Sequence, residues 1–494
     1  MSASAHEPGV AVERRQTRPS FPFGLLHDPA LPGLACALDP VAMAAILDAG
    51  FRERSPGEAP RVRSCAVEEV YYRPGRHCGV LYRLSLDPGP RSESEPTGER
   101  NAEEWCYARL LPRDVLRDRH GTALEAAMAA GAIRPGRLGL EPVSRWDEPG
   151  MLLWVFPNDP KLPGLRALAD APRIGQRLFR ASARFERVKY MPCKRCVLRY
   201  RVDAEAPAGH SSGPAVAYVK AYPVGASAEV HRLQRAVAAA LRGSPSAVQV
   251  PEPLAHFEEE SGIAFQDWGG QGAIAAAASG GWAAAADRAA RAIAALHLTR
   301  VPGLGPAPPP LRFAEETHED AAAYAARVAP HRELVRWLLE RFDAQRPDPA
   351  LAVPRVPVHG AFRAEHVLVD GERTALLDLD GVTEGDPMID AAEFVASLEW
   401  LSLSGADPGL DAASVSKRFL ESYAACVPWR VEPSRLGWYV LASVVSKMLL
   451  ALKRLALPAL EQLEAAGPEL VARWSEAGDW APAHPDPRRR GERP

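Results

Sequence analysis

Along the first half of the chain, apolar and polar residues alternate in short runs, broken by Pro, Gly and polar stretches, and along the second half the spacing lengthens to that of helices. From Tyr72 "YRPGRHCGVLYR" and from Tyr190 "YMPCKRCVLRYR" each set a Pro between two runs rich in β-branched and aromatic residues. Proline cannot donate to a sheet ladder, so Pro74 and Pro192 belong in hairpin turns. After each hairpin comes a polar stretch without periodicity and then an apolar, strand-like segment, "WCYARLLP" from Trp105 or "AVAYVKAYP" from Ala215. The pattern predicts strand, turn, strand, loop, strand in both places. Helical material follows each time: "TALEAAMAAG" from Thr122, then the apolar "MLLWVFP" at Met151, and "AEVHRLQRAVAAAL" from Ala228, then "GIAFQDW" at Gly262.

The two units are related beyond their periodicity. "DPALPGL" at Asp28 recurs as "DPKLPGL" at Asp159, and both matches fall in the same order along the chain. A duplicated β-rich unit is the expectation.

After Trp268 the segments are Ala-rich and helical, and "HRELVRWLLERF" places Leu334, Trp337, Leu338 and Phe342 near one face. "RLGWYVLASVVSKMLLALKRLALPAL", beyond Ser434, should be a buried helix, and "HPDPRRRGERP" a solvated tail. The expected organisation is 1–157 for the first copy, 158–270 for the second, 271–480 for a helical part and 481–494 for the tail.

Composition narrows the function classes. In 494 residues, 59 Lys and Arg stand against 62 Asp and Glu, so no strong field draws the chain to nucleic acid or to an anionic membrane. A small-molecule partner is the expectation, with the first copy offering a surface to a protein partner. Seven Cys are an odd count in a long chain, and the first twenty residues lack the apolar run of a signal peptide. Both point to reduced thiols in the cytoplasm. The uncharged run from Trp268 to Ala286 is mostly Ala and Gly, too weakly apolar for a membrane span.

The chemistry concentrates in "HGAFRAEHVLVDGERTALLDLDGVTEGDPMIDAAEF", from His359. This stretch resembles the aminoglycoside phosphotransferase family, small-molecule kinases with the protein-kinase-like two-lobed fold. His359, Gly360, Asp378, Gly385, Asp386, Pro387 and Asp390 fit the family's pattern by type and spacing. The resemblance implies an α+β fold, a kinase-like pair of lobes preceded by an extra copy of the β-rich one. It implies ATP and Mg2+ as cofactors and a small hydroxylated or amino-sugar-like substrate.

By that resemblance Asp378 is the magnesium carboxylate, although a strand-end Asp also caps turns, and Asp380 is a further candidate on the same loop. Lys220, on the third strand of the second unit, is the lysine for the α- and β-phosphates, with Arg109 at the matching place in the first. Glu229 is the nearest acid to pair with Lys220, and its place at a helix start is an alternative reason for it. The turn "MPCKR" lacks the glycines of a phosphate-wrapping loop, so Lys194 and Arg195 are the cations there. Gln266, Asp267 and Trp268 should border the adenine. His359 is the loop-ordering histidine, and Asp386 with Pro387 reads as a helix cap.

Two positions depart from the family. Ala361 stands where an acid would take the acceptor's proton, and His366 where an asparagine would ligate the second metal. Glu365 is the candidate for a displaced base. The alternative to an active enzyme is therefore a pseudokinase, a nucleotide-binding or partner-binding module.

Overall fold

Asp39 and Asp170 start two helices in the same way. Asp39 accepts from Val41 N (2.8 Å) and Ala42 N (3.2 Å) and is followed by Pro40. Asp170 accepts from Arg173 N (3.1 Å), with Pro172 in the first turn. Each side chain satisfies backbone donors that the helix leaves open, and each proline occupies a position where no N–H is needed. The helices are α2 (Pro40–Arg54), which follows the short α1 (Leu34–Leu38), and α5 (Ala171–Phe179), which follows α4 (Leu165–Leu168). The computed structural model describes residues 27–475 apart from 57–58, 88–101, 134–137, 139, 204–214, 245–246, 278–280, 308–320, 322–323, 325–330, 347–352, 406 and 408. The basic tail and most of "AEETHEDAAAY" lie outside the described residues.

Each helix pair precedes a five-stranded antiparallel sheet. The first holds β1 (Val62–Arg73), β2 (His77–Leu86), β3 (Ala102–Leu110), β4 (Ser144–Trp146) and β5 (Met151–Val155), in the order β1-β2-β3-β5-β4, with α3 (Arg113–Ala129) between β3 and β4. The second holds β6 (Ala183–Met191), β7 (Arg195–Val202), β8 (Val216–Ala221), β10 (Pro253–Phe257) and β11 (Gly262–Gln266). Its order is β6-β7-β8-β11-β10, and α6 (Ala226–Arg242) and the short β9 (Val248–Gln249) lie between β8 and β10. Both sheets run strand, strand, strand, helix, strand, strand with the same pairing. Pro74 and Pro192 sit in the hairpin turns, and α3 begins nine residues before the helical segment legible in the sequence.

The recurring "DP-x-LPGL" segments make matching contacts. Tyr72 donates to Asp28 Oδ2 and Tyr190 to Asp159 Oδ2, each at 2.8 Å, and the turn amides of Gly75 (2.7 Å) and Cys193 (2.9 Å) reach the same oxygens. Tyr82 and Tyr200 each donate to a helix carbonyl, of Ala37 and Leu168, at 2.6 Å. Gly164 is required by packing: a Cβ there would lie 2.0 Å from the Glu260 carbonyl oxygen.

Alternation buries one face of each sheet under its helix pair. In the second sheet Cys196, Leu198, Tyr200, Ala217, Val219 and Ala221 pack on Leu162, Leu165, Leu168, Ile174 and Phe179. The first sheet's apolar residues belong to a larger core that continues into the helices Trp282–Leu298, Met388–Leu403, Ala412–Cys426 and Pro433–Arg454. The first sheet therefore rests on the helical part of the molecule. Tyr324 donates to the Tyr72 carbonyl there. The first sheet also meets the second: Arg187 lies over Trp105 (5.2 Å) and Phe156 (4.9 Å). Helix Pro433–Arg454 is long and apolar enough to cross a membrane, and it is mostly buried inside the fold.

Candidate functional site

Asp378 follows the strand Arg373–Leu376 and takes a left-handed backbone (φ 61°), a conformation that Asp tolerates better than most residues. It aims its carboxylate at the second sheet. Lys220 Nζ on β8 lies 2.7 Å from Asp378 Oδ1 and 3.1 Å from Asp380 Oδ2. Arg195, the first residue of β7, places Nη1 2.9 Å from both oxygens of Asp378. Tyr222 donates to Asp380 Oδ1 at 3.2 Å. Burial works against the Asp378 charge, but Lys220 and then Arg195 outweigh it and hold the carboxyl well below the usual range. Burial, together with Asp380 and Asp378, pushes the Tyr222 phenol up and keeps it neutral.

The loop before Asp378 is held from below. Asp390, fully buried in the first turn of helix Met388–Leu403, accepts from His359 N (2.6 Å) and Gly360 N (2.8 Å), and His297 Nε2 lies 3.0 Å away. His359 Nε2 donates to the Leu377 carbonyl at 2.8 Å, which ties the loop to the residue before Asp378. Gly360 has φ 79°, and a Cβ would sit 3.0 Å from Gly381 O. His366 stacks on His359 with ring centres 5.3 Å apart, and its Nε2 stands 3.7 Å from Asp378 Oδ2. Burial, His359 and Arg363 push the His366 imidazole down to about 3, so it is neutral near pH 7. Ala361 is half-buried, and Glu365 is exposed, 3.4 Å from Arg363 and 3.8 Å from His366 Nε2.

Two of the residues expected at the site, Glu229 and Lys194, find other partners. Glu229 does not pair with Lys220: it is exposed and held by Arg232 (2.6 Å), one turn along α6, while Lys220 is taken by the two aspartates. Lys194 points away from the cleft and lies over the Tyr71 ring of the first sheet, at 4.7 Å. Gln266, Asp267 and Trp268 form the exit from β11. Gln266 N donates to Glu252 O (3.1 Å), Asp267 caps Gly269 N (3.1 Å), and Trp268 donates to Gln249 (2.9 Å) under Arg373. Asp386 accepts from Met388 N (3.0 Å) and from buried Arg435 (2.8 Å). Tyr222, His297 and Arg435 gave no signal in the sequence. Asp390 fitted the family pattern without an assigned task. Among the described residues no group of three or more His, Cys, Asp or Glu side chains is arranged to hold a metal.

Residues 199–424 match the phosphotransferase enzyme family. The resemblance read from the sequence is a family match. The matched phosphotransferase stretch contains Lys220, Ala361, Asp378 and Asp390 and begins after Arg195, so the first sheet lies outside it. Solved structures similar to this chain include an aminoglycoside-3'-phosphotransferase of type VIII, at 19% identity, covering 53% of this chain and 93% of that one with a TM-score of 0.38. A choline kinase from Streptococcus pneumoniae shares 13% identity over 62% of this chain and 99% of its own, TM-score 0.39. A choline/ethanolamine kinase family protein from Mesorhizobium loti shares 14% over 59% and 88%, TM-score 0.37. No curated protein matches the chain.

Proposed function

We propose that this protein binds ATP with magnesium and transfers the terminal phosphate to a small hydroxylated or amino-sugar-like molecule in the cytoplasm. In this reading the fold is kinase-like and two-lobed, with the β-rich lobe at 158–270, the helical lobe at 271–480 and a second copy of the β-rich lobe at 1–157. The observation that carries it is Lys220 meeting Asp378 at 2.7 Å, across the junction of sheet and helical part, within the phosphotransferase-matched stretch.

Phosphoryl transfer asks a protein mainly for positioning and for countercharge. Lys220 and Arg195 supply two cations at one point, and a triphosphate has a stronger claim on them than two carboxylates do. Magnesium that arrives with a nucleotide needs one or two carboxylates from the protein, and Asp378 and Asp380 offer two on one turn. The imidazole of His366 is a poor third donor for that hard ion. When bound, the ion neutralises charge that builds on the phosphates. The acceptor oxygen bonds to the γ-phosphorus as ADP leaves, and its proton passes to Glu365 or to water.

A pseudokinase is the second reading, favoured by Ala361, which puts a methyl group where the base is expected. Isothermal titration with ATP and magnesium, followed by a radiolabelled transfer screen on aminoglycosides, choline and simple sugars, separates the two. Transfer to any of them supports the enzyme, nucleotide binding without transfer supports a nucleotide-binding pseudokinase, and absence of binding overturns both of these and leaves the partner-binding form of the pseudokinase.

A further inference from the structure

Matching hairpin turns close the first two strands of each sheet, and they differ at one position. In the first sheet Arg76 N donates to the Arg73 carbonyl at 3.0 Å across Pro74 and Gly75, and Gly75 has φ 69°. In the second Lys194 N donates to the Met191 carbonyl at 3.0 Å across Pro192 and Cys193, and Cys193 has φ 64°. Glycine takes a left-handed backbone freely, whereas a residue with a Cβ takes it at a cost. The backbone gives no reason for the cysteine, because Gly75 N and Cys193 N reach equivalent aspartates, Asp28 and Asp159. What Cys193 adds is its side chain.

That side chain leaves its own sheet. It packs on the cluster of Tyr107, Leu116, Leu152 and Trp154, whose other described members all come from the first β-rich unit. Tyr107 is fixed there: its ring stacks on Trp154 with centres 5.7 Å apart and lies over Gly79, where a Cβ would come within 2.9 Å of its hydroxyl. Burial, and then Asp159, push the Cys193 thiol up to about 12, so it serves as an apolar plug and not as a nucleophile.

The next residue makes a second contact. Lys194 Nζ lies 4.7 Å over the ring of Tyr71, which stands opposite Gly79 on the face that Tyr107 shares. The residue after that is Arg195, with Nη1 2.9 Å from both oxygens of Asp378. Two successive turn residues rest on the first sheet, and the third reaches into the cleft.

We propose that the first sheet is a positioning element for the cleft: Tyr107 and Tyr71 seat Cys193 and Lys194, and the seated turn holds Arg195 against Asp378. The role rests on the reading of Asp378 and Arg195 as part of a nucleotide site. A hairpin tip that projects from the end of a sheet is ordinarily mobile. Seated on a neighbouring sheet, it presents Arg195 without the ordering cost that a free tip incurs when a ligand binds.

The test is a double-mutant cycle on the full chain, read by calorimetric titration with ATP and magnesium. Cys193→Gly installs the residue of the first turn, suits the backbone and removes the plug. It is expected to weaken binding about threefold or more, within the roughly tenfold worth of the Arg195 contact, and to have no further effect in Arg195→Met. A cysteine that only packs leaves the affinity of Cys193→Gly unaltered, and one that contributes independently of Arg195 gives the same loss in both backgrounds; either result overturns the proposal. Amide exchange at Lys194 and Arg195, followed without nucleotide, tests the seat apart from the nucleotide reading. Exchange about threefold or more faster in Cys193→Gly supports the seat even where ATP fails to bind, a failure that defeats the nucleotide reading alone, and unchanged exchange overturns the seat.

Discussion

Lys220 and Asp378 lie 158 positions apart and meet at 2.7 Å, so their ion pair, with that of Arg195 to the same carboxylate, joins the second sheet to the loop that follows His359. A charge-assisted contact of this kind is worth about 1.5 to 3 kcal/mol. Lys220→Met and Asp378→Asn should therefore each weaken ATP binding about tenfold or more, measured by titration calorimetry. Unaltered affinity in both variants would remove this pair from the nucleotide site.

Arg195 stands with its Nη1 2.9 Å from each Asp378 oxygen, beside Lys220. If it is the second cation for the phosphates, Arg195→Met should weaken ATP binding about tenfold, the worth of one such contact. Unchanged or tighter binding would mean that Arg195 serves only to hold the carboxylate.

Ala361 and His366 are the two departures from the family pattern, and both sit on the loop that Asp390 clamps. In a pseudokinase the double variant Ala361→Asp, His366→Asn should gain ATP hydrolysis or phosphate transfer in magnesium, since a base contributes about 100- to 10,000-fold. In an enzyme built around Ala361, wild type already turns over and the double variant gains little. Release of labelled phosphate distinguishes them.

His366 also sets a pH dependence. The folded chain holds its imidazole neutral down to about 3, while the unfolded chain takes up a proton near 6.5. Between those values the unfolded state binds more protons, so stability falls as the pH falls through the window. The melting midpoint should drop from 6.5 towards 3 in wild type and drop less in His366→Asn. Equal slopes would assign the acid sensitivity to other groups.

The first sheet shares one continuous apolar core with the helical part, including Trp438, Leu441 and Val445. A chain beginning at Asn158 exposes that surface and should aggregate or bind a hydrophobic dye. A monomeric product with the wild-type melting temperature would show that the sheet is dispensable.

Much of this was legible along the chain because it is local. Alternation around Pro74 and Pro192 follows from the two-residue period of strands, and "DP-x-LPGL" carries its own turn and cap chemistry. Motif and position likewise singled out Asp378 and the strand lysine Lys220, which the fold brings into contact.

Local spacing therefore carried the strands and helices, the repeated sequence motifs around the two hairpins and the residue types near Asp378. Which side chains meet was settled by packing across the chain. Glu229 found Arg232 because three residues along a helix bring side chains together, and that local pair was available before any contact with Lys220. Arg195 came to Asp378 from 183 positions away, while Lys194, its neighbour, stays in the hairpin turn, where its amide donates to the Met191 carbonyl and its side chain lies over Tyr71. Asp390 became the clamp of the His359 loop because the helix Met388–Leu403 packs its first turn under two open amides, a relation no spacing announces.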